Sequence, residues 1–213
     1  MDKHIDQRAE VVREYGPFPE VAQVHGVSFD GTHVWIATGE KLRAIDPASG
    51  EQVRALDVAS DAGTAFDGRY LYQLADSRIH KIDPATGAIV SSIPSPGAGK
   101  DSGLTWAEGT LWVGQYRDRK ILQIDPATGA ILKTIESNRF VTGVTWVDGE
   151  LWHGTWEGNE SDIRQVDPTT GEVKTRLTMP EGTGVSGLES DGGDVFYAGG
   201  GGSGRVRAVR RPR

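Results

Sequence analysis

A signature of the form [IV]-D-P-x-[ST]-G occurs four times in this chain, with its aspartate at Asp46, Asp83, Asp125 and Asp167. Each copy follows a G-[VTL]-x-[FW] segment and precedes an alternating apolar stretch. The steps are 37, 42 and 42 residues. Self-similarity at a period of roughly 20 to 50 residues marks a solenoid or propeller, because one repeat cannot bury its apolar face alone and must stack on the next. This period suits a four-stranded propeller blade.

Overlaid, the repeats each contain four β-patterned runs. The first is G-x-x-[FW], and the second carries an aromatic at Trp35, Tyr72, Trp112, Trp152 or Phe196. The third leads into the Asp-Pro turn, and the fourth alternates after it. Asp-Gly or Glu-Gly at 30/31, 67/68, 108/109, 148/149 and 191/192 makes the first hairpin, since glycine accepts the positive φ a tight turn requires. The Asp-Pro aspartates read as turn scaffold, with the carboxylate accepting backbone N–H bonds. The recurring aromatics, with Phe29, Phe66, Trp106 and Trp146, read as packing between blades.

A fifth repeat stops after its third strand, RVRAV. Residues 9–15, AEVVREY, align with the outer strands of the other repeats and are expected to complete that blade, which would close the ring and remove a bare sheet edge. The expected fold is all-β: a five-bladed propeller of four-stranded antiparallel blades over residues 1–213, with blades near 24–58, 62–95, 102–137, 141–179 and 184–213 plus outer strand 9–15.

Composition narrows function by exclusion. A formal charge of −7 disfavours nucleic-acid binding, which needs a basic stripe. No apolar run is long enough to span a bilayer, and the opening MDKHIDQRAEVV has no apolar h-region, so a cytoplasmic protein without membrane partners is expected. The absence of cysteine removes disulfides, thiolate metal sites and a cysteine nucleophile. PGAGKDSG at 96–103 and GGGGSG at 199–204 read as glycine-rich connections, because no helix follows the first and no βαβ unit surrounds the second. Oligomeric state is not readable.

Strands alternate in direction, so the short stereotyped turns share one rim, and the variable second-to-third loops and blade connections share the other. Binding on a rigid scaffold sits on such variable loops. Two histidines depart from the repeat: His25 where the others carry Ala62, Ser102, Thr142 and Ser186, and His153 where they carry Ile36, Gln73, Val113 and Tyr197. With Glu157 in the loop after His153, they form a candidate proton-transfer group. Gln73, Gln115, Tyr116, Arg117, Arg139 and Trp156 are the candidate substrate-binding residues, the arginines being able to hold a carboxylate through paired N–H donors. No cofactor is implied. A divalent metal would have to draw ligands from separate blades, with no compact His-x-x-x-His spacing.

The grammar G-[LV]-x-[WF]-x-[DE]-G, L-[WY], then I-D-P-x-[TS]-G resembles the bacterial glutamine cyclotransferase-like proteins, five-bladed relatives of plant-type glutaminyl cyclase. The likeness covers nearly the whole chain and is shared less closely with virginiamycin B lyase and gluconolactonase-like propellers. It implies cyclisation of N-terminal glutamine with loss of ammonia at the ring mouth. The family's F-T-Q-G-L and L-Y-E-S-T-G segments stand here as Q-V-H-G-V (23–27) and V-W-I-A-T-G (34–39). The family's glutamine is thus His25 and its glutamate Ile36, which points to a changed substrate. The leading expectation is a lyase or cyclotransferase-type enzyme acting on a small molecule or peptide end through His153 and His25. A non-catalytic ligand- or protein-binding propeller is the alternative, and a metal-dependent lyase the third.

Overall fold

A computed structural model describes residues 4–213, all β, with two strands, β1 (Ile5–Arg8) and β2 (Val11–Tyr15), ahead of the repeats. Blade 1 holds β3 (Val27–Phe29), β4 (Val34–Ala37), β5 (Leu42–Ile45) and β6 (Gln52–Leu56). Blade 2 holds β7 (Thr64–Phe66), β8 (Leu71–Ala75), β9 (Arg78–Ile82) and β10 (Ile89–Pro94). Blade 3 comprises β11 (Asp101–Ala107), β12 (Thr110–Gln115), β13 (Lys120–Ile124) and β14 (Ile131–Glu136). Blade 4 comprises β15 (Val141–Val147), β16 (Glu150–Glu157), β17 (Glu160–Val166) and β18 (Val173–Thr178). The last repeat supplies β19 (Leu188–Ser190), β20 (Val195–Gly199) and β21 (Val206–Arg210).

Strand β2 pairs antiparallel with β21 and completes blade 5, as the alignment of residues 9–15 predicts. The closure is reinforced across to blade 1: Tyr15 Oη donates to the Pro47 carbonyl at 2.8 Å, and Arg13 Nη1 to those of Pro47 and Ala48 at 2.8 and 2.9 Å. The same device recurs one blade on, where Arg54 reaches the Pro84 carbonyl at 2.6 Å. Strand β1 has no counterpart in the repeat pattern. It adds in parallel to the outer edge of β18, making blade 4 five-stranded, so the N-terminal chain straps blade 4 to blade 5.

The inner strands β3, β7, β11, β15 and β19 neighbour one another in turn, and β19 returns to β3. What lets them close so tightly is the first glycine of each repeat. A Cβ built on Gly63 would lie 2.5 Å from Leu104 N, and one on Gly187 would lie 2.8 Å from both His25 O and Val27 N. Gly26, Gly103 and Gly143 press on the next blade's backbone in the same way. Five glycines therefore form a collar at which adjacent inner strands touch backbone to backbone.

Aromatic side chains fill the wedges further out. Tyr72 stacks on Trp106 at 5.5 Å and Trp112 on Trp146 at 6.2 Å, while Trp152 meets Phe196 at 4.9 Å and Phe29 meets Tyr197 at 5.6 Å. The turns behave as their residues require. Each Asp-Pro aspartate accepts a backbone N–H two residues on, at 2.7 to 2.8 Å, and the turn glycines have positive φ. Asp46 and Asp167 are held below the ordinary carboxylate range chiefly by these backbone bonds. They are scaffold.

Candidate functional site

The residues just before the collar glycines are His25, Ala62, Ser102, Thr142 and Ser186. Ser102 and Ser186 spend their hydroxyls on carbonyls of the neighbouring blade, at 2.8 Å to Val141 and 2.6 Å to Val24. His25 is half-buried, and desolvation lowers its pKa below the ordinary imidazole value, with the charge of Asp61 opposing. It is the titratable member of this ring and is neutral in neutral water.

Blades 3 and 4 build the most elaborate part of the rim. Tyr116 packs on Phe140 with ring centroids 4.7 Å apart, and its hydroxyl donates to the Trp156 carbonyl at 2.8 Å. The Arg119 guanidinium lies 4.6 Å over the Phe140 ring. Glu157 is committed to this cluster: it accepts the Phe140 N–H at 3.0 Å and stands 3.7 Å from both Arg119 and Arg139. The Trp156 indole lies across Gly184 and Gly201, so closely that a Cβ on either would enter the ring. Two glycines are what let an indole bridge blades 4 and 5. Nearby, Gln115 is buried and donates to Asp101 at 3.2 Å, and Asp101 accepts the Gly97 N–H at 3.0 Å. Arg117 is exposed on the same loop as Tyr116.

Two expected site residues stand elsewhere. Gln73 is fully buried within blade 2, where its amide donates both N–H groups to the Ala62 and Leu74 carbonyls at 3.0 Å and accepts from Thr64, out of reach of a substrate. His153 corrects the sequence reading more sharply. It lies in mid-strand on β16, opposite Val144 and Arg164, and is 1% exposed. Neighbouring strand residues face opposite sides of a sheet. Trp152 turns toward blade 5, so His153 turns into the wedge toward blade 3. Its Nδ1 lies 3.0 Å from the Gly154 carbonyl, and burial pushes its pKa down to about 4. Among the described residues no hydrogen bond or ion pair joins His153, His25 and Glu157 to one another. Ile36 is wholly buried in an apolar cluster.

One buried acid was not anticipated. Glu189, on inner strand β19, accepts from Thr145 and, at 3.4 Å, from Ser28; burial raises its pKa to about 8. It stands two residues after its collar glycine, where the other blades carry Ser28, Ala65, Thr105 and Thr145. A carboxyl in a column of small side chains was the available signal.

These features define a closed five-bladed propeller with a collar of glycines and a decorated rim. The family model described as outer membrane protein assembly factor BamB matches residues 38–132 and again 75–212, and the chain belongs to that family. The overlapping matches reflect the internal repeat. In structure the chain is similar to the glutaminyl cyclase of Myxococcus xanthus, with a TM-score of 0.81 and 18% identity over 98% of each chain. It is also similar to a catalytically inactive virginiamycin B lyase from Staphylococcus aureus, with a TM-score of 0.52 and 16% identity over 92% of this chain and 69% of that one. At these identities the likeness is one of fold. Comparison with proteins of curated function gave no match.

Proposed function

We propose that this chain is an interaction propeller that takes a peptide segment or peptide end on the rim of blades 3 and 4, and that glutaminyl cyclisation is not its activity. The observation carrying this reading is the dispersal of the acid–base groups: His153 is turned into the wedge between blades 3 and 4, Glu157 is paired with two arginines, and Ile36 occupies the position of the resemblance's carboxylate. The rim offers aromatic faces beside both signs of charge, the composition of surfaces that hold partners through a few anchors. The family description, an assembly factor, agrees with a binding role.

The test combines turnover and binding. Peptides with N-terminal glutamine should release no ammonia, and a peptide panel screened by thermal shift should give hits whose affinity falls roughly tenfold or more in Trp156→Ala or Tyr116→Ala. Ammonia release that disappears in His153→Ala or Glu157→Gln would overturn the proposal. His25 supports a second reading, a lyase using one base, because it is half-buried beside the glycine collar and neutral at neutral pH. That reading requires a small-molecule turnover abolished by His25→Ala with the unfolding midpoint retained.

A further inference from the structure

The registers of blades 3 and 4 differ at one cross-strand row. In blade 3 the row is Leu104, Val113 and Leu122, all in one apolar cluster against blade 2. In blade 4 it runs Val144, His153, Arg164, Arg176, and continues to Asp6 on β1. Apolar filler is thus replaced by an imidazole and a guanidinium, and the wedge between blades 3 and 4 retains a crevice of about 300 Å³. Its lining runs from Ser137 and Asn138 in the connection between blades 3 and 4 out to Glu172, Val173 and Arg176 at the outer strand of blade 4.

The inner end of this crevice has unspent hydrogen-bonding capacity. A carbonyl can only accept, so His153 Nδ1 carries the proton donated to Gly154, and Nε2 keeps its lone pair. No donor reaches Nε2 among the described residues. Arg164 is 3% exposed and gives two N–H groups to Asp162, at 2.8 and 3.1 Å, and one to Asn138 at 2.6 Å. A guanidinium has five such donors, so two remain. The outer end carries Arg176, bonded to Asp6 at 2.8 Å, and the exposed carboxylates Glu136 and Glu172.

We propose that this interblade crevice is a binding site for a small neutral polyhydroxyl compound of monosaccharide size. The volume stands at the lower end of the range for ligand pockets, about 300 to 1,000 Å³. An anion would meet Glu136 and Glu172, and a cation would meet Arg164 and Arg176. A polyol meets neither penalty, and each hydroxyl both donates and accepts, matching a lone pair and free N–H groups at one end and carboxylates at the other.

The full chain, with 15N-labelled histidine, would be titrated with myo-inositol, glucose and mannitol, and separately with inorganic phosphate. The expected result is a saturable shift of the His153 Nε2 resonance with at least one polyol. Affinity should fall about tenfold in His153→Val, which installs the blade 3 residue and removes the acceptor. Should that variant fail to fold, Glu172→Ala on the exposed lip should weaken the same binding severalfold. Trp156→Ala should leave it unchanged, which separates this site from the rim. A His153 resonance unmoved by all three polyols, a response to phosphate alone, or binding insensitive to His153 and Glu172 would overturn the proposal.

Discussion

Replacing Gly63 by alanine should weaken the whole ring, and the size of the effect can be worked from the collar. The new Cβ would stand 2.5 Å from Leu104 N, 2.6 Å from Gly103 C and 2.9 Å from Gly103 Cα. Ordinary contact begins near 3.4 Å, so the two inner strands would have to part by nearly an ångström. The obstructing atoms are backbone, fixed by the β11–β12 ladder, and cannot rotate away as a side chain would. Overpacking costs about 1 to 3 kcal/mol, and backbone obstruction belongs at the upper end. Against this, removing a glycine narrows the unfolded ensemble by about 0.4 to 1 kcal/mol. The net expectation is a loss of about 2 kcal/mol, or roughly 4 to 8 °C in Tm for a chain of this size. Urea unfolding followed by tryptophan fluorescence would measure it. Gly202→Ala serves as the control, because nothing lies within 4 Å of its Cβ, and it should stay within about 0.5 kcal/mol of the parent. If Gly63→Ala were as stable as Gly202→Ala, the collar would not be what sets the blade spacing.

Three further outcomes are expected. Because the pKa of Glu189 is raised to about 8 from 4.5, its contribution is fully present below about pH 4.5 and is lost as pH rises through 8; Glu189→Gln should flatten that decline in urea midpoints measured from pH 5 to 9. His153 is shifted the other way, to about 4 from 6.5, so its contribution is present above 6.5 and lost as pH falls toward 4, and its ring should titrate near pH 4 by proton NMR. Truncation before Ala9 removes β1, whose four residues are all exposed, and should leave a cooperative unfolding transition, whereas truncation before Gly16 also removes β2, bares β21 and should give aggregation in light scattering.

The sequence by itself determined the architecture because a propeller repeats its own instructions. Glycine, hairpin Asp-Gly, strand aromatic and Asp-Pro turn recur in step, and each recurrence tests the others; even the closing strand was legible, since residues 9–15 alternate like the outer strands of complete repeats. Strand β1 was not, because four exposed residues joined mainly by backbone bonds leave almost no pattern of side chains. The site was decided by tertiary structure. His153 and Glu157 are close in sequence, yet the two-residue period of a strand turns His153 into the wedge toward blade 3, while Glu157, at the strand's end, meets Arg119 and Arg139 from blade 3 and its connection. Side-chain direction, burial and the partner across the blade interface set what each group can do, and these depend on contacts between repeats rather than on the text of any one of them.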